Sequence, residues 1–207
     1  MDKEAKKRIF IAINLGERTK KALVDLEKEI QDSLPLEAEG MIKWVSGKNL
    51  HLTLVFLGEV AQGKISEIIQ AVKGALSGEK NFFLKCRKIS YGPPRKMPPR
   101  LIWLELEKSN ELWRLVEKIK TKLAEREIRG KDGGEHSFLA HITLARLRSW
   151  QWRKINPEER PEVGREVNLS FPVKSVEIME SHLKRSGAEY SLVSSIPLEE
   201  TLEEKEK

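Results

Sequence analysis

The chain presents one pattern twice. In each half a short apolar strand is followed by an amphipathic helix, a polar linker, and a strand that reads His-x-Thr-Leu. The first copy is His51-Leu52-Thr53-Leu54 and the second His141-Ile142-Thr143-Leu144. The opening strands begin at Ile9 and Leu101, 42 and 40 positions before the two histidines. Two units of matching order and length predict two lobes about a pseudo-twofold axis, with equivalent residues in equivalent positions. Two copies of this length are too few for a solenoid. The expectation is an α+β fold: bilobal and duplicated, with antiparallel-rich sheets, helices on the outer faces and a central cleft.

Periodicity supplies the elements. Residues 9–15 (IFIAINL), 42–45 and 49–58 (NLHLTLVFLG) read as strands. Leu23, Leu26, Ile30 and Leu34 recur at threes and fours across 17–34, a helix that Pro35 ends. A second helix is expected over 64–76 and a strand over 81–90. Segment 91–100 (YGPPRKMPPR) holds four prolines, which excludes regular structure and marks a boundary near mid-chain. The second half then gives a strand at 101–106, a helix over 111–126, a flexible loop at 130–134, a strand at 138–147, and strands at 173–181 and 190–198. Residues 1–198 are expected to form one bilobal domain and 199–207 a charged, solvated tail.

Composition narrows the setting. Hydrophobic residues make up 39% of the 207, enough for a globular core. The single cysteine, Cys86, cannot form an internal disulfide, so a reducing, cytoplasmic location is expected, with Cys86 as a small buried hydrophobe. No segment is long and apolar enough to cross a bilayer, and the charged first residues lead straight into a strand with no signal region, so no membrane partner is expected. The formal net charge is +6, and the last nine residues, with five Glu and two Lys, oppose it, so the body is more basic still. Such a body attracts polyanions, nucleic acid among them.

Side chains alternate across a strand, so His51 and Thr53 share one face while Leu52 and Leu54 point into the core. His141 and Thr143 repeat this. A hydroxyl can donate to a phosphoryl oxygen and an imidazole can move a proton. Two imidazoles on opposite sides of one phosphorus can divide acid and base work, because histidine titrates near neutrality. A strained cyclic phosphate would need no metal. No carboxylate accompanies either histidine at ligand spacing, so neither a metal site nor a cofactor is expected.

At these residues the chain resembles the 2H phosphoesterases, and within them the bacterial and archaeal RNA 2′,3′-cyclic phosphodiesterases, also called 2′-5′ RNA ligases. The resemblance runs through RIFIAINL (8–15), WVSGKNLHLTLVFLGEV (44–60), RLIWLEL (100–106), FLAHITLARL (138–147) and a closing strand around 178–183. It implies hydrolysis of an RNA 2′,3′-cyclic phosphate to a 2′-phosphate, with His51 as proton donor, His141 as proton acceptor, and Thr53 and Thr143 binding the phosphate. ATP-independent 2′-5′ joining of RNA ends is implied as the reverse direction. The implied partner is an RNA with a cyclic-phosphate end, such as a tRNA fragment, acted on by a monomer. The family often has Pro before the second histidine, where this chain has Ala140.

Several flanking residues are candidates for holding RNA. Arg95, Lys96 and Arg100 lie in the proline-rich loop, and Lys48 precedes the first motif. Arg146 lies three positions beyond Thr143, where strict alternation turns it to the opposite face, within reach of an anion only if the strand twists or ends. Trp150 and Trp152 are candidates for stacking on a base, and Trp44 reads as packing. His136 and His182 read as bystanders. Competing readings are an RNA- or nucleotide-binding module without turnover, and a phosphodiesterase for a small cyclic nucleotide or ADP-ribose cyclic phosphate.

Overall fold

In strand β1 (Lys6–Asn14), Ile9, Ile11 and Ile13 alternate with Phe10, Ala12 and Asn14. The first set joins the main core; Phe10 and Ala12 join a second, smaller cluster with Met179. One face of the sheet is therefore packed with aliphatic residues, and the other carries an aromatic patch beside the first His-x-Thr motif. The structure, a computed structural model, describes residues 5–94, 98–130, 138–184 and 187–200.

Helix α1 (Glu17–Asp32) follows β1 and buries Thr19, Leu23, Glu27 and Ile30. It stops at Ser33, whose hydroxyl bonds the Ile30 carbonyl, two residues before Pro35. A short helix α2 (Leu36–Glu39) leads to β2 (Ile42–Trp44) and β3 (His51–Ala61). Helix α3 (Ile65–Leu76) then precedes β4 (Phe82–Gly92). The second half gives β5 (Leu101–Leu106), α4 (Asn110–Ala124) and β6 (His141–Leu147). Ser109 caps α4 by accepting from the Leu112 amide. The remaining elements are α5 (Ser149–Trp152), β7 (Arg165–Glu166), β8 (Ser170–Val173), β9 (Ser175–Lys184) and β10 (Gly187–Pro197). Helices α3 and α4 pack against each other. Among the described residues no helix is long and apolar enough to cross a membrane.

The strands run in the order β10-β9-β1-β3-β6-β5-β4-β7, with β2 added to β6 and β8 to β4. Every named strand pair is antiparallel. The order is symmetric about the β3/β6 junction, where one residue pair, Leu52 and Ile142, joins the two motif strands. Both are fully buried. The pseudo-twofold axis thus passes between the central residues of the two His-x-Thr motifs.

The lobes, however, are not the sequence halves. Strand β4, from the first half, pairs with β5; β9, from the second half, pairs with β1. Each lobe is completed by a strand that follows the other lobe's histidine strand. The mid-chain boundary read from the prolines is a boundary in sequence and not between lobes. At the C-terminal end, the Glu199 amide bonds the Glu79 carbonyl, and the Asn81 amide bonds the Glu199 carbonyl. The expected tail from 199 therefore begins with an anchored residue, and 201–207 lie outside the described residues.

Candidate active site

Both motif strands carry the same irregularity. On β3, Thr53 lies opposite Ala12 and Val55 opposite Ile11, so Leu54 is an extra residue. On β6, Thr143 lies opposite Trp103 and Ala145 opposite Ile102, so Leu144 is extra. These β-bulges shift the alternation by one. After each Thr two residues are buried in succession, and the third, Phe56 or Arg146, returns to the histidine face. Strict alternation misplaces Arg146; the bulge brings it to a cavity of about 390 Å³ that it lines with His51 and Thr53.

The two imidazoles are held alike. His51 Nδ1 lies 2.6 Å from the Asn49 carbonyl, and His141 Nδ1 lies 2.8 Å from the Leu139 carbonyl. A carbonyl can only accept, so Nδ1 carries the proton in both rings and Nε2 is the working nitrogen. His51 Nε2 lies 3.0 Å from Thr53 Oγ1, so the hydroxyl donates to the neutral ring. Burial pushes both imidazoles below the ordinary histidine range, and the Arg146 charge adds to this in each case. The nearby His141 lowers His51 further. A buried neutral imidazole is poised to take a proton, and an anion placed among these groups would raise both rings again.

Aromatic rings wall the two histidines differently. His51 meets Phe10 at 5.1 Å and the edge of Tyr190 at 5.2 Å between centroids. His141 lies 4.5 Å from Trp103, tilted 42°. In register, the lobe-one counterpart of Trp103 is Ala12. The indole is held at its edge and its face. Its Nε1 donates to Ser90 Oγ at 3.0 Å, and Ser90 donates to Glu105 at 2.7 Å. Gly92 lies under the ring, where a Cβ would fall 2.4 Å from the nearest indole atom. Sequence reasoning passed over Phe10, Trp103 and Tyr190. The signal was present for Phe10, which shares Asn14's side of the alternation and not that of the isoleucines.

The other candidates separate. Lys48 and Trp44 line a cavity that also contains Arg146. Arg100 is exposed, and its backbone ties β5 to β6 through Leu147, but it lines neither histidine-side cavity. Arg95, Lys96 and His136 lie outside the described residues. Trp152 is a correction: it is fully buried against Tyr91 and offers no face to a base. Trp150 is exposed, with Lys154 over its ring. His182 bonds Ser191 on the surface. Cys86 is buried and its thiol is pushed up to about 12, which makes it inert. Among the described residues no cluster of three His, Cys, Asp or Glu could hold a metal ion.

A two-lobed antiparallel sheet with a His-x-Thr strand on each side of its central junction defines a phosphoesterase of the two-histidine class. The chain belongs to the LigT-like phosphoesterase family. The family model described as LigT like Phosphoesterase matches residues 18–103. An RNA 2′,3′-cyclic phosphodiesterase of Thermotoga maritima is 35% identical over 150 residues, covering 72% of this chain and 75% of the relative. One from Methanothermobacter thermautotrophicus is 30% identical over 184 residues, covering 87% and 90%. The crystal structure of TT0787 from Thermus thermophilus superposes with a TM-score of 0.76 at 26% identity, over 92% of this chain and 97% of that one.

Proposed function

We propose that the chain hydrolyses the 2′,3′-cyclic phosphate at the end of an RNA to a 2′-phosphate, by acid–base catalysis between His51 and His141 and without a metal. The observation that carries this is the matched pair of imidazoles, each with Nδ1 committed to a backbone carbonyl, so that Nε2 is the nitrogen that can exchange a proton. His141 Nε2 takes a proton from water, whose oxygen attacks phosphorus. The bond from phosphorus to O3′ breaks, and protonated His51 delivers its Nε2 proton to that oxygen. Thr53 and Thr143 donate to the non-bridging oxygens, and the Arg146 guanidinium offsets their charge. With an RNA 5′-hydroxyl in place of water, the same steps give a 2′-5′ linkage without ATP.

The relatives' activity and the basic charge of the chain support RNA as the substrate. Arg95, Lys96 and Arg100 are proposed as outer contacts to RNA phosphates, and the working unit as a cytoplasmic monomer. The test is an oligoribonucleotide with a 2′,3′-cyclic phosphate end, incubated in excess chelator with wild type, His51→Ala and His141→Ala. Conversion to a 2′-phosphate by wild type alone is the expected result. Binding without conversion would overturn the reading in favour of a binding module. Conversion only after a divalent metal is restored would overturn the two-histidine mechanism.

A further inference from the structure

The cavity at His51 continues into a second one of about 380 Å³. Arg146, Gly187, Ala188 and Tyr190 line both. Asn49 lines the second cavity. Its carbonyl accepts from His51 Nδ1, and its side chain donates to the Ala188 carbonyl at 2.9 Å. The same residue thus orients the histidine and fixes the wall of the neighbouring space.

That space is cationic. Lys43 and Lys48 line it together with Arg146. Lys43 sits directly opposite Arg146 in the β2/β6 pairing. The two side chains therefore leave the sheet at one level, beside the cavity that both line. Gly187 gives Lys43 its room: a Cβ there would lie 3.2 Å from Lys43 Nζ. One carboxylate, Glu189, also lines the cavity; it is bonded to Lys184 and its charge also acts on Lys48, which leaves the lining net cationic with Lys43, Lys48 and Arg146 against it. Trp44 and Tyr190 add aromatic walls.

We propose that this second cavity holds a further phosphate of the RNA, the phosphodiester next along the strand from the reacting group, with Lys43 and Lys48 as its contacts. The proposal rests on the cyclic-phosphate reading and adds to it a basis for choosing a polymer over a mononucleotide. A nucleoside 2′,3′-cyclic phosphate fills only the His51 side. An oligonucleotide reaches both.

The test compares kcat/KM for a cyclic-phosphate-ended oligoribonucleotide with that for a 2′,3′-cyclic mononucleotide, in wild type, Lys43→Ala, Lys48→Ala and Lys43→Arg. The oligonucleotide-to-mononucleotide ratio should fall about fivefold for each alanine, through KM, as expected for the loss of one charged contact. The arginine variant should keep the wild-type ratio. The slope of log affinity against log salt for the oligonucleotide should fall by about 0.7 per lysine removed. An unchanged ratio, or equal losses on both substrates, overturns the proposal. Affinity for the same oligonucleotide ended in a 2′-phosphate, read by fluorescence anisotropy, tests the subsite without turnover. If wild type hydrolyses neither cyclic substrate, the functional reading fails, while the anisotropy series still decides the subsite.

Discussion

His51 and His141 share a tautomer and a face but not a setting. Both are lowered chiefly by burial, with Arg146 adding to it. In the proposed mechanism the acid must be protonated and the base neutral, so kcat/KM should peak below pH 6.5, the ordinary imidazole value. The kcat profile should peak at higher pH, because the bound phosphate raises both rings. Arg146→Ala removes a depressing charge from each histidine, so both limbs of kcat/KM should move to higher pH while KM rises. A pH–rate series on the two proteins checks both statements, and a kcat/KM optimum above about pH 7.5 in wild type would count against them. Gly92→Ala acts on the second histidine alone. The new methyl group collides with the Trp103 indole, so stability should fall by about 1–3 kcal/mol and kcat should drop as the ring beside His141 shifts. Thermal melts and turnover measured together read both effects.

At the scale of elements, the alternating and helical patterns were open to reading because each is a local physical demand. Residues 101–106 are a strand where expected, since Ile102, Trp103, Leu104 and Leu106 had to be buried within so short a run. The expected helix at 17–34 ends at Asp32, because the Ser33 hydroxyl takes a terminal carbonyl before Pro35 is reached. The bulges at Leu54 and Leu144 were hidden: two adjacent buried residues look the same in a regular strand buried on both faces. That ambiguity left Arg146 unplaced. The partners of β4 and β9 were hidden too, because pairing across the chain leaves no local mark. The β3/β6 junction gives a sharper expectation. Leu52→Ala should cost about 2–5 kcal/mol, as cavities at fully buried leucines do, and Ile142→Ala should match it across the axis. Denaturant unfolding of the two variants checks this symmetry.

For the molecule as a whole, stability should depend on pH through a group far from the histidine chemistry in sequence. Glu27 is buried on α1, its Oε1 has no hydrogen-bond partner among the described residues, and burial pushes its carboxyl up to about 8. The unfolded carboxyl titrates near 4.5. Between those values the folded state binds the extra proton, so the group's favourable contribution is complete below the lower one. It is lost as pH rises through the upper one, by at most about 1.4 kcal/mol per pH unit. Glu27→Gln should flatten that slope and make the protein more stable than wild type at about pH 8. Urea midpoints from about pH 5 to about pH 9 measure it.

The exchange of strands between lobes reaches beyond packing. A chain severed in the proline segment between β4 and β5 would leave neither product a complete lobe. The N-terminal piece would keep β1 without β9, and the C-terminal piece β5 without β4, each with a bare hydrogen-bonding margin. The two products should be insoluble apart and should recover a single enzyme when made together, as halves of a lock that close only on each other. The two lobes are mutually dependent, and a change in one is carried into the geometry of both.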